Sequence, residues 1–182
     1  VVDENGKPLV VYHGGTWEGA DYDPSRSQKN TGMLWVTPEK SLAKYFAERE
    51  GTVLRELYAN IENPWEWDPD NLEEVKAFAS TPQGKASVED LADQLISEYD
   101  DEDPETGYIW TRDDFDDALD VVVTLSTDAN ETWRISEMYG FPAFLRERGY
   151  DGIKMHEGSA DTYAVYSPDQ LFVRDMPWTG SQ

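Results

Sequence analysis

The chain has 182 residues, enough for one ordinary domain or a domain carrying an inserted lobe and too few for two independent catalytic domains. Fifteen Lys and Arg against 38 Asp and Glu leave a formal charge of -23, which excludes ordinary nucleic-acid binding through a basic patch and disfavours an anionic membrane surface. Zero cysteines exclude disulfides, Cys-ligated zinc, iron–sulfur clusters and Cys nucleophiles, and with only His13 and His156 as histidines no metal site is expected.

Asn5-Gly6 is a turn signal, and Pro8 to His13 after it is β-branched and aromatic, so a first strand is predicted to end at His13-Gly14-Gly15. Residues 16–32 read as loop, with turns at Asp23-Pro24-Ser25 and Asn30-Thr31-Gly32, before a short apolar strand from Met33 to Thr37. Thr37 at the N-cap, Pro38 at N1 and Glu39 in the first turn then open a helix that Gly51 ends. Leu42, Tyr45 and Phe46 fall on one face of it, the spacing of a core stripe. Thr52 to Ile61 alternates with the period of a strand.

From Asn63-Pro64-Trp65 to about Met138 the sequence turns acidic, is broken by Pro69, Pro82, Gly84 and Pro104, and is mostly helical in pattern. It reads as an inserted helical lobe, residues 63–138, within a single domain whose core is 1–62 and 139–182. Ser87 offers an N-cap followed by the apolar stripe Val88, Leu91, Leu95 and Ile96, and Asp113 to Val123 a second helix with Phe115, Leu119 and Val122 on one side. Pro142 to Arg148 reads as a short helix closed by Gly149, and Tyr150 to Met155, Thr162 to Tyr166 and Leu171 to Val173 as the last strands. Strands at both ends with helices between them predict an α+β domain.

Three pieces place functional-looking groups at strand ends: Tyr12-His13-Gly14-Gly15, Trp35 with Ser41 and Tyr45, and Asp161-Thr162-Tyr163-Ala164-Val165-Tyr166. Around them lie the opening Asn5-Gly6-Lys7-Pro8, the loop Tyr22-Asp23-Pro24-Ser25, the turn Gly149-Tyr150-Asp151-Gly152 and the closing Ser167-Pro168-Asp169-Gln170-Leu171. In this order they resemble the ADP-ribosyltransferase fold of the His-Tyr-Glu type. Diphtheria-like toxins and poly(ADP-ribose) polymerases share it, and the closest likeness is to the version in large phage-borne polyvalent proteins. The likeness covers the N-terminal third and the C-terminal fifth, and the acidic middle carries no motif matched to it.

The resemblance implies a split β-sheet core and a phage-derived mono-ADP-ribosyltransferase in the cytoplasm of a bacterial host. Such an enzyme takes NAD as substrate and modifies a host protein or nucleic-acid acceptor. It implies that His13 contacts the ribose, that the backbone of Gly14 pairs with the nicotinamide carboxamide, that Tyr45 stacks on the ring and that Ser41 bonds the carboxamide. Trp35 occupies the place of the family's triad Tyr. Because nicotinamide leaves through an oxocarbenium-like state, the ring and sugar must be held fixed and a carboxylate must face the developing charge. The family's Glu position holds Thr162 here. Asp161 is one residue away and on a regular strand would face the other side, so a bulge or an earlier strand start is expected to bring it round.

Each residue also has a plainer reading: a hydrogen-bonded structural His13, a core Tyr45 and Trp35, and a turn at Asp161. His156 and Glu157 are adjacent on a strand and face opposite ways, so they suggest an acid/base pair only weakly. The acidic run Asp100 to Glu105 reads as a solvated face, with imitation of a nucleic-acid backbone as the alternative. No Asp-x-Asp-x-Asp-Gly calcium loop is present. Two other classes therefore stand beside the enzyme: an NAD-binding module without turnover, and an acidic interaction or inhibitor module. The Val1 start, without Met, reads as part of a larger polypeptide.

Overall fold

The computed structural model describes residues 1–2, 5–15, 32–50, 53–99, 109–157 and 160–174. The Tyr22 to Ser25 motif, the Asn30-Thr31 turn, Gly51, Gly158-Ser159 and the acidic run Asp100 to Glu105 lie outside the described residues. In chain order the strands are β1 (Val10–Gly15), β2 (Leu34–Val36), β3 (Val53–Ala59), β4 (Pro64–Glu66), β5 (Gly152–Glu157), β6 (Ala160–Val165) and β7 (Leu171–Val173). The helices are α1 (Lys40–Glu50), α2 (Glu73–Ala79), α3 (Pro82–Glu98), α4 (Ala118–Asp128), α5 (Trp133–Ser136) and α6 (Phe141–Glu147). The chain is α+β and divides into two compact units, Val1–Glu66 with Gly149–Gln182, and Trp67–Arg148.

The first unit holds two sheets, of strand order β1-β3-β7 and β2-β6-β5-β4. All pairs are antiparallel except β4 with β5. Pro64-Trp65-Glu66, expected to open the helical lobe, is therefore a strand. Trp65 is buried opposite Ile153, and the parallel edge gives that indole an apolar face to cover. Side chains alternate faces along a strand, so Val11 and Leu57 of one sheet meet Leu34, Val36, Tyr163 and Val165 of the other in one apolar cluster. The opposite face of the first sheet is covered by α1, whose approach leaves no space beside Gly14. A Cβ there would lie 1.9 Å from the carbonyl oxygen of Ala43 and 2.8 Å from the amide of Ala47.

Two motif residues act as clasps. The Asp151 carboxylate accepts the amides of Glu62 and Asn63 at 2.7 and 2.8 Å, tying the approach to β4 against the start of β5. Gln170 accepts from the Tyr166 amide at 3.0 Å and donates to the carbonyls of Asp151 and Asn60 at 2.7 and 3.2 Å. Each satisfies backbone groups at strand ends that no ladder reaches.

The second unit is helical. Thr81, not Ser87, caps α3, its hydroxyl accepting the Gly84 amide at 3.0 Å. Ser87 lies inside that helix and donates to the carbonyl of Tyr139 at 2.7 Å. The helix expected from Asp113 is a single 3-10 turn, Arg112–Asp114, followed by α4 with Asp117 as its cap. The segment 139–148 was assigned to the core by sequence, yet by its contacts belongs with the helices: Phe78 lies 5.1 Å from Phe141 and 5.4 Å from Phe144, ring centre to ring centre. Among the described residues no helix is long and apolar enough to cross a membrane.

Phe78 is fully enclosed in that aromatic cluster. Phe78→Ala should cost the chain about 3–5 kcal/mol, read from urea unfolding followed by helical circular dichroism, and a loss under about 1 kcal/mol would contradict the packing.

Candidate active site

Besides the apolar cluster, one backbone bridge among the described residues joins the two sheets, between Tyr12 of β1 and Thr37, the residue after β2. The Tyr12 amide donates to the Thr37 carbonyl at 2.7 Å and the Thr37 amide donates back at 3.0 Å. A continuing antiparallel ladder would next set Gly14 against Trp35. Instead His13 Nδ1 lies 2.8 Å from the Trp35 carbonyl, so the imidazole N–H takes the acceptor that a ladder amide would have used. Donation to a carbonyl puts the proton on Nδ1 and makes Nε2 the acceptor of the neutral ring.

Backbone groups alternate sides along a strand, so the N–H and C=O of Gly14 point the same way as those of Tyr12, away from β3. No strand among the described residues pairs with that edge of Gly14. A donor and an acceptor of one residue thus stand side by side where the sheets part. The imidazole of His13, 9% exposed, lies on the β1 face that carries Val11.

Thr37 joins this point to β6. In register Pro38 would oppose Asp161, and proline has no N–H to give. The Thr37 hydroxyl donates to the Asp161 carbonyl instead, at 3.0 Å, and accepts the Glu39 amide at 3.1 Å. The helix consequently starts at Lys40 rather than at Pro38, and Thr37 works as a strand-to-strand connector. Sequence reading took it only as a cap. The Thr-Pro pair beside a strand end was the available signal.

The strand register corrects the expectation about the acid. β6 pairs residue for residue with β5 from Ala160 to Val165, without a bulge. Asp161 therefore shares the face of Tyr163, Val165 and Val36, the face on which His13 and Val11 stand, and no irregular step is needed. Thr162 faces the other way, is 5% exposed, and its hydroxyl has no hydrogen-bond partner among the described residues. Trp35 contributes its carbonyl to His13 while its indole lies on the Thr162 face. Ser41 and Tyr45 are on the side of α1 opposite Ala43 and Ala47, which contact β1. The Ser41 hydroxyl donates to Glu39 at 2.7 Å and Tyr45 is 58% exposed, so the structure places neither beside His13 and Tyr45 is not a core residue.

The register also assembles groups that sequence reading left apart. His156 opposes Asp161 across β5 and β6, with Nδ1 at 3.0 Å from Oδ1. The Tyr163 hydroxyl donates to Oδ2 at 3.5 Å, and Lys154 Nζ lies 3.7 Å from Oδ2 and 2.7 Å from Glu66. The hydrogen bond to Glu66 raises the Lys154 pKa above its ordinary value, with the charge of Asp161 adding to it. Burial raises that of Tyr163, and the Asp161 charge acts in the same direction. Arg55, opposite His13 on β3, brings a cation to the same face. Pairing of distant strands supplied these neighbours, and no sequence spacing signals it.

Residues 3–172 match the family described as ADP-ribosyltransferase in polyvalent proteins. The class is that of ADP-ribosyltransferase domains, and the chain belongs to this family of them. The match runs through the helical unit as well as the two sheets. No curated protein and no solved structure gives a significant match.

Two outcomes follow from these contacts. Thr37→Val removes the hydroxyl that serves both Asp161 and Glu39 and should destabilise the chain by about 1–3 kcal/mol, while Thr37→Ser should recover most of the loss in the same denaturation assay. Lys154 and Tyr163 both hold their protons more tightly when folded, so stability is full below the ordinary Tyr value of 10.0 and declines as pH rises through the folded values. Tyr163→Phe should flatten that alkaline decline, and an unchanged urea midpoint profile across alkaline pH would contradict the assignment.

Proposed function

We propose that this domain is a mono-ADP-ribosyltransferase that takes NAD, releases nicotinamide and transfers ADP-ribose to a macromolecule of a bacterial host. In the resemblance to phage-borne polyvalent proteins, the place of action is the host cytoplasm. The observation that carries the reading is the backbone edge of Gly14, which no strand among the described residues pairs, beside a His13 ring oriented by the Trp35 carbonyl. A carboxamide offers one donor and one acceptor in a plane, the complement of a single residue's C=O and N–H. Glycine allows the close approach, and the same position must be glycine for α1 to pack.

His13 Nε2 is the acceptor suited to a ribose hydroxyl, and Arg55 on the same face suits the diphosphate of NAD. Asp161 supplies the carboxylate in place of the family's Glu. Among the described residues its Oδ2 has long contacts, to Tyr163 at 3.5 Å and Lys154 at 3.7 Å, which leave lone pairs for the sugar. As the bond to nicotinamide lengthens, positive charge grows on the ribose, and a fixed carboxylate stabilises it more than it stabilises uncharged ground-state sugar.

The test uses labelled NAD with the purified chain and a bacterial lysate, following label on macromolecules and free nicotinamide. Asp161→Asn should lower transfer by about 10²–10³-fold with folding intact, and Gly14→Ala should abolish NAD binding in calorimetry. Thr162→Val and Tyr45→Ala should leave NAD affinity within about threefold, because both side chains face away from His13. Full activity of Asp161→Asn, or no NAD binding by the unaltered chain, would sink the reading.

A further inference from the structure

His156 stands at the exposed edge of the Asp161 cluster. Its ring is 64% exposed and Asp161 37% exposed, whereas His13 is buried, so the pair lies on the solvent side of the cluster. Nδ1 donates to Asp161 Oδ1 at 3.0 Å, which fixes the tautomer with the Nε2 lone pair outward, and Nε2 makes no hydrogen bond among the described residues. Among the described residues, the charged and titratable groups facing the pair are Lys154, Glu66 and Tyr163 on its own sheet, with His13 and Arg55 on the face of the other sheet. Lys154 and Tyr163 address the other oxygen, Oδ2, so His156 has Oδ1 without competition from them.

A carboxylate with an imidazole fixed on one oxygen is the arrangement that lets histidine take a proton from a hydroxyl and be stabilised as imidazolium. We propose that His156 is the general base for the acceptor, and that the acceptor is a side-chain hydroxyl of a protein, Ser or Thr. This rests on the transferase reading above. A carboxylate acceptor needs no base, and a guanidinium holds its proton too tightly for imidazole. The charge of -23 favours a protein over a polyphosphate acceptor.

The step balances as follows. The bond from ribose C1 to the nicotinamide nitrogen breaks, and its electron pair leaves with nicotinamide. The acceptor oxygen forms the new bond to C1, and its proton passes to His156 Nε2 and then to water. Asp161 remains ionised throughout and holds the imidazolium.

The experiment offers the full chain NAD and three synthetic peptides carrying only Ser, only Arg or only Glu as nucleophile, from about pH 5 to pH 9, with NAD affinity measured in parallel. Transfer to the Ser peptide is expected, with a rate that rises through the range where imidazole loses its proton. His156→Gln should lower that transfer by about 10²–10⁴-fold and remove the pH limb while NAD affinity stays within twofold. Asp161→Asn should also depress transfer to the Ser peptide, and the double variant should be no worse than His156→Gln alone at the base step, which separates a base held by Asp161 from an exposed ring of no consequence. Equal transfer by His156→Gln, or label confined to the Arg or Glu peptide, overturns the proposal while leaving the transferase reading intact. Absence of both NAD binding and nicotinamide release in the unaltered chain overturns the two together.

Discussion

β1 and β2 run antiparallel and begin to pair, and everything at the site depends on their stopping after one bridge. The Tyr12–Thr37 pair is made with two short hydrogen bonds, and the next carbonyl, that of Trp35, is claimed by His13 Nδ1. An unpaired carbonyl at that depth would be costly, so the imidazole is what allows the ladder to end without an orphaned group. One hydrogen bond therefore does two things. It orients the ring, and among the described residues it leaves no strand paired with the Gly14 backbone edge.

The consequences spread through the neighbouring elements. With β2 released from β1, the chain at Thr37-Pro38 turns into α1, and that helix seats its backbone on Gly14. Thr37 then bonds the Asp161 carbonyl near the start of β6 because Pro38 cannot. The polar cluster on β5 and β6 follows from register: His156, Lys154, Asp161 and Tyr163 alternate onto the face that carries the apolar cluster between the sheets.

In the helical unit three arginines are matched to acids. Arg134 is held by Glu98 and Glu131 at 2.6 and 2.7 Å, Arg112 by Glu89 at 2.6 Å, and Arg148 by Glu74. Arg134 is half-buried, where such pairing compensates for lost hydration, while the other pairs are more exposed and contribute less. Ser87 and Thr81 show how the same residue type divides by position. One hydroxyl caps a helix start, and the other, a turn and more further in, reaches across to a neighbouring carbonyl.

From sequence alone came the α+β class, the first strand ending at His13-Gly14, the strand and helix on either side of Thr37-Pro38, and the family resemblance. These rest on local chemistry: alternation of apolar residues, a proline at a helix start, glycines at a strand end. Register is nonlocal, and it decided the rest. A strand's period is two, so whether Asp161 or Thr162 faces His13 turns on one residue of pairing with β2 and β5, which no spacing within Ala160 to Tyr166 encodes. The same holds for His156, which the sequence weighs only against its neighbour Glu157 and which the pairing of β5 with β6 sets opposite Asp161. Tyr45 looked like core because its spacing matched Leu42 and Phe46, yet the side of α1 that packs was chosen by Gly14 against Ala43 and Ala47. A helix can be read from its own residues, but the face it buries is set by the partner that fits.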